Sequence, residues 1–376
     1  MQGRKLPAVY MRGGASKALF LRAADLPPDT VRRDQLLLRL MGSPDPYARQ
    51  LDGLGGGVQA SSNVVIVDDA ARIDCDVAYR LGQVALDEPR IDWSVGDGSL
   101  AAAVASYAIQ QGLVRADEGY ATVRIWQTNA GRQVLAQLEV RNGDVWEEGV
   151  FHEDGIPFPG AEVRLEFDDF GGRSVLPTGR DQDAIEVDGR SVPVSVIQTD
   201  QITVYARAAD LGLTGRERLD QLLRNARLQE RLEAARQACI NLLPRNVRGR
   251  ADTSLVWVAP PANYRSSAGL DVSRQSVDVL ARSMQTLSAA GRFNTRHAIA
   301  LATAAALPGS VVAQVARTLP GVATRIGHAA GVHSATASVS RVGQGWRLDK
   351  ATLSRSARCL MSGWVHVPEL PAGTRG

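Results

Sequence analysis

The sequence reads as an α+β protein in two mixed halves. Short strand-like runs recur along its whole length, many closed by Gly-rich or Asn-Gly turns. Each half holds one Ala-rich helix that is apolar on nearly every side, as a buried helix must be. Helices do not alternate regularly with strands, which argues against a parallel, doubly wound sheet.

In the first half, residues 8–11 and 18–21 read as strands flanking a turn at Gly13-Gly14, and Val64-Val65-Ile66-Val67 is a β-branched run ended by Asp68-Asp69. Residues 78–86, 121–126, 134–140 and 162–167 follow as strands. Between them, residues 99–113 form the first buried helix, with Ser99 as its N-cap and Gly112 near its end. Pro157, Pro159 and Leu176-Pro177-Thr178-Gly179 mark the seam between halves. In the second half, strands are expected at 192–197, 202–206, 254–258, 331–339, 346–353 and 364–367. An amphipathic helix is expected over 216–238 and the second buried helix over 296–307, stopped by Pro308-Gly309.

Composition excludes several function classes. The 376 residues are 44% hydrophobic and 22% charged, which is globular and not disordered. No apolar run approaches the ~18–20 residues of a membrane span, and Met1–Pro7 leads into a strand without a signal-peptide h-region, so a cytoplasmic protein is expected. A net charge of +3 gives no general attraction to nucleic acid or membrane. Lys5, Lys17 and Lys350 are the only lysines among 43 basic residues, and unlike Arg they can release a proton. Cys75, Cys239 and Cys359 are far apart and lack CxxC pairing, and the five histidines contain no HExxH, so neither a disulfide framework nor a metal centre is expected. No GxGxxG or GxxxxGK[ST] follows a strand.

Four segments could carry chemistry. In Met11-Arg12-Gly13-Gly14-Ala15-Ser16-Lys17, two glycines allow a tight turn with exposed N–H groups, while Arg12, Ser16 and Lys17 suit a carboxylate; the same residues would also make an ordinary hairpin. Leu51-Asp52-Gly53-Leu54-Gly55-Gly56-Gly57, leading to Ser61-Ser62-Asn63, is either a mobile loop or a wall against a ligand. Gly96-Asp97-Gly98-Ser99 precedes the first buried helix, where free N–H groups favour an anion, although plain capping would use the same residues. Gly327-His328-Ala329-Ala330-Gly331 is a small-residue turn with one titratable side chain, and a structural histidine would look the same.

In order, these segments resemble the PrpF family, whose fold is like that of diaminopimelate epimerase. MRGGASKALF is similar to the family's MRGGTSKG opening, LDGLGGG and SSNVVIV to its LDGLGGG and TSKVVIV, and DGSLAAAVASYAIQQGLV to its CGN and following helix. Leu176–Gly179, Leu211-Gly212-Leu213-Thr214-Gly215, Val258-Ala259-Pro260-Pro261, the IGHAAG turn and the closing SARCLMSGWVHVP continue the likeness over residues 6–369. The resemblance implies two pseudo-symmetric domains, residues 1–180 completed by 355–370 and residues 181–354. Each is a curved sheet or barrel around its central helix, with the active site in the cleft between them.

It also implies a cofactor-free isomerase that moves a proton on an unsaturated di- or tricarboxylate related to aconitate, without nucleic-acid or membrane partners and with room for a homodimer. Two departures fall on the implied acid/base pair. Asn63 stands where the family has Lys, and Asp97 where it has Cys. Asn cannot exchange protons near neutral pH, which leaves Asp97 as the base, with Lys17 or His328 as partner. Ser99 replaces the Asn of CGN, Ala329-Ala330 the Pro-Ser of the family turn, and Asn294 the His of its GKxH, here Gly291-Arg292-Phe293-Asn294. Substrate-binding groups are then Arg12, Gly13, Gly14, Ser16, Ser61, Ser62, Gly98, Ser99, Asn294 and Gly331. The altered pair also admits a lyase or decarboxylase on a similar acid, or a non-catalytic carboxylate binder.

Overall fold

One order of strand pairing occurs twice along the chain. The structure, a computed structural model, describes residues 4–367 except 97, 169, 171, 219–220, 223, 246–252, 284–292, 320 and 344. The chain forms two compact units, Met1–Leu165 with Arg355–Gly376, and Glu166–Ser354.

In the first unit the strands lie in the order Ala357–Val367, Arg4–Gly13, Ser16–Arg22, Asn63–Asp69, Val77–Val84, Gly119–Gln127, Arg132–Arg141. The successive pairings are antiparallel, antiparallel, parallel, antiparallel, parallel, antiparallel. In the second unit, Asp183–Val187, Arg190–Gln198, Ile202–Arg207, Thr253–Ala259, Val279–Ser283, Thr324–His328 and Gly331–Val342 repeat that sequence of senses. Gly345–Arg355 then adds antiparallel to the last of them. Helices fall at matching places. Thr30–Met41 and Ala226–Leu242 precede the fourth strand of their units, and Ala101–Gln110 and Thr295–Ala306 precede the sixth.

Residues Ala101–Ile109 are all buried. The helix touches Arg4–Gly13 and Ala357–Val367 on one flank of the sheet and Gly119–Gln127 and Arg132–Arg141 on the other, so the sheet curls round it. Ala at these positions lets strands approach closely. The opposite face of the sheet packs Leu19, Leu21 and Val64 against Leu37, Leu40 and Met41 of the Thr30–Met41 helix. With both faces covered, the strands carry continuous apolar runs, and each fully buried large side chain contributes about 1.5–3 kcal/mol. The second unit repeats the scheme, with Leu232, Ala235 and Cys239 of Ala226–Leu242 packed on Val196, Leu255 and Trp257.

Several expectations shift. The amphipathic helix spans Ala226–Leu242, not 216–238, because the side chain of Asn225 accepts Leu228 N–H and fixes the start there. Ser99 is not an N-cap. It lies inside a 3₁₀ turn, Gly98–Leu100, and the α-helix follows without a side-chain cap. Thr30–Met41 was not anticipated, although Asp29 caps it through Arg32 N–H and Gly42 closes it. Among the described residues no helix is long and apolar enough to cross a membrane.

Candidate active site

In the first unit, Gly13 and Gly14 sit directly on the start of the buried helix. A Cβ on Gly13 would lie 3.0 Å from Leu100 Cα and 3.0 Å from Ala103 Cβ. Gly14 has φ +56°, and a Cβ there would meet Arg355, Glu153 and Ser99 at 3.1–3.3 Å. Gly13 pairs with Ser16 and Arg12 with Lys17 across the hairpin, so the two cations flank one turn.

Much of this turn is tied inward. Gly14 N–H donates to Ser356 O at 2.9 Å, so that amide is committed within the protein. Arg12 Nη1 donates to Gly14 O at 2.9 Å, Ser356 O at 3.1 Å and Ser356 Oγ at 3.0 Å. Burial lowers the Arg12 pKa, while Glu153 and Glu147 act to raise it and Arg358 to lower it. The half-buried Lys17 places its Nζ 5.6 Å from the centre of the Tyr10 ring, and burial raises the Tyr10 pKa.

The four-glycine segment is neither a free loop nor bare wall. It wraps the buried side chain of Gln50. Gly57 N–H donates to Gln50 Oε1 at 3.1 Å, and Gln50 Nε2 donates to Ser43 Oγ at 2.8 Å. A Cβ on Gly55 would fall 2.2 Å from Gln50 Oε1, and one on Gly53 would fall 2.1 Å from Gly42 N. Glycine is there because its own chain passes too close for any side chain. Ser62 Oγ reaches Gln50 Oε1 at 2.6 Å and Val58 O at 2.8 Å, and Ser61 Oγ donates to Val58 O at 3.2 Å. Asn63 Nδ2 donates to Lys17 O at 3.0 Å and to Gln59 O and Ala60 O at 3.2 Å. Its amide therefore ties the Gln59–Ser61 turn to the neighbouring strand.

Gly98, Ser99 and Leu100 are buried beside the glycine turn, and their 3₁₀ turn puts amide donors at the head of the helix. Asp97, Gly291 and Arg292 lie outside the described residues.

In the second unit, His328 ends the Thr324–His328 strand, and Ala329-Ala330 make the turn back to Gly331. Since His328 pairs with Gly331 and Ile326 with His333, both imidazoles project from one face, with ring centres 5.8 Å apart. On a helix a spacing of five would not bring the two rings to one face, but this hairpin register does. Phe293 stacks on His328 at 5.8 Å and lies 5.4 Å from His297. Asn294 is the N-cap of Thr295–Ala306, where its Oδ1 accepts His297 N–H at 3.0 Å and lies 2.7 Å from His297 Nδ1. His297 Nε2 lies 3.5 Å from Ser254 Oγ. Gly331 O accepts from the Tyr264 hydroxyl.

Sequence reasoning brought out the glycine turn and the helix head, which the fold places in contact. It missed Glu153, Arg355 and Ser356, which lie against the glycine turn, Gln50, which holds the four-glycine segment, His333 beside His328, and His297 beside Phe293.

The PrpF protein family matches the chain over residues 3–368. The chain belongs to the PrpF family. It is 38% identical to the 2-methyl-aconitate isomerase of Shewanella oneidensis, over 97% of each chain. It is also similar to a crystal structure of methylitaconate-delta-isomerase, with TM-score 0.85 and 31% identity over 98% of this chain and 96% of the other. A probable proline racemase from Agrobacterium radiobacter shares the fold alone, with TM-score 0.51 and 14% identity over 98% of this chain and 94% of that one. This PrpF family member is an isomerase by its full-length likeness to these enzymes.

Proposed function

We propose that this PrpF family member moves a proton between two carbons of an unsaturated di- or tricarboxylate of the aconitate type, in the cytoplasm, without a cofactor. The observation that carries the reading is the seating of Gly13-Gly14 on the Gly98–Leu100 helix head, within a chain that matches isomerases over its whole length.

Removing an allylic proton α to a carboxylate builds charge on that carboxylate. Amide donors at a helix head and nearby cations stabilise such charge. Ser16, Lys17, Gly98 and Ser99 supply these groups, with Arg12 behind the turn. Asp97, next to the helix head in sequence, takes the proton. Asn63 does not exchange protons, and its amide is already engaged with three carbonyl oxygens, which supports a site with one carboxylate base. Lys17 or His328 is the titratable partner that would return the proton.

The test is exchange in D₂O followed by NMR, with cis-aconitate, methylaconitate and itaconate as substrates. Deuterium entering carbon without CO₂ loss is the expected result. Release of CO₂ would replace the isomerase reading with a lyase, and calorimetric binding without exchange would leave a carboxylate binder.

A further inference from the structure

Behind the glycine turn lies a buried charged network outside the groups assigned above to the proton transfer. Glu153 is 6% exposed, Ser356 1% and Arg355 2%. Glu153 Oε2 accepts Ser356 N–H at 2.8 Å and Ser356 Oγ–H at 3.0 Å, and its Oε1 lies 3.6 Å from Arg355 Nε. Donors and acceptors then run in one direction, from Arg12 Nη1 to Ser356 Oγ to Glu153 Oε2. Ser356 O meanwhile takes Gly14 N–H. Position 14 has φ +56°, which favours glycine, and a Cβ there would lie 3.1 Å from Arg355 Cδ and 3.2 Å from Glu153 Oε1.

A buried carboxylate is costly and is often replaceable by apolar packing, so its presence here calls for a role beyond stability. We propose that Glu153 is a positioning residue for substrate-carboxylate binding, acting through Ser356 and Arg12 to fix the Gly13-Gly14 turn that carries Ser16 and Lys17. The role rests on the isomerase reading above. Glu153 holds the anion-binding side of the site and takes no part in the proton transfer. Its loss therefore weakens binding and spares the chemical step.

The experiment compares wild-type protein with Glu153→Gln, which keeps the size and removes the charge, and with Ser356→Ala. Each is measured at a temperature where it is fully folded. For Glu153→Gln, KM and the calorimetric Kd for cis-aconitate are expected to rise about tenfold while kcat stays within about twofold, the signature of lost uniform binding. Ser356→Ala is expected to move both in the same direction by about threefold. A folded Glu153→Gln protein with wild-type Kd, or one losing kcat at constant KM, overturns the proposal. If Glu153→Gln does not fold, Ser356→Ala decides, and an unchanged Kd overturns it. Failure of the isomerase reading looks different, because wild-type protein itself would then show no exchange of substrate protons.

Discussion

The side-chain amide of Asn63 donates to the main-chain carbonyl of Lys17 at 3.0 Å, binding together two residues that the chemistry of the site would otherwise treat as rivals. One is the position at which the family resemblance places a lysine; the other is the lysine that remains. The amide also holds Gln59 O and Ala60 O, so Asn63 has a structural task whatever the reaction. Asn63→Ala is expected to strand these acceptors and lower the unfolding free energy by about 1–3 kcal/mol in a urea titration. Unchanged stability would show that the three bonds carry no weight.

The wrap around Gln50 gives a second prediction. A methyl at position 53 would meet the main chain at Gly42, which cannot swing aside as a flexible side chain can. Gly53→Ala is expected to cost about 1–3 kcal/mol or more through overpacking, read as a lower denaturation midpoint with an unchanged slope. If the segment were a mobile loop, the substitution would be neutral.

Glu217 links acid stability to the second unit. Burial acts to raise its pKa, but bonds from Thr214 N–H, Thr214 Oγ and Trp257 Nε1 outweigh it, so the pKa is lowered overall. A carboxyl with a depressed folded pKa adds stability above its unfolded pKa, and that stability is lost as the pH falls through the folded value. Glu217→Gln should therefore cost about 1 kcal/mol at pH 7 after solvent screening. The difference from wild type should close below about pH 4, as followed by Trp fluorescence during unfolding. A gap that stays constant down to low pH would contradict the assignment.

These residues also show what could be read from the sequence. The Val64–Val67 run announces a strand buried on both faces, and the Ala-rich segments announce helices that strands must approach closely. Val279–Ser283 and Thr324–His328 were not anticipated, and each carries an arginine. Arg282 is buried with Nη1 on Ala281 O and Gly327 O, its pKa lowered by burial to about 10, and Arg325 pairs with Asp278 at 2.6 Å. Such partners exist only after folding. Glu153 and Ser356 lie 203 positions apart, and no local pattern joins them. Glycine spacing told where the chain turns tightly, but not that Gln50 is what it turns around.

In the proposed mechanism Asp97 takes the substrate proton. Asp97→Asn protein, incubated with cis-aconitate in D₂O and followed by NMR, measures this most directly. At least about a hundredfold loss of deuterium incorporation is expected while calorimetric binding persists, since a positioned base contributes that much or more. Incorporation at the wild-type rate would contradict it and move the proton to another residue.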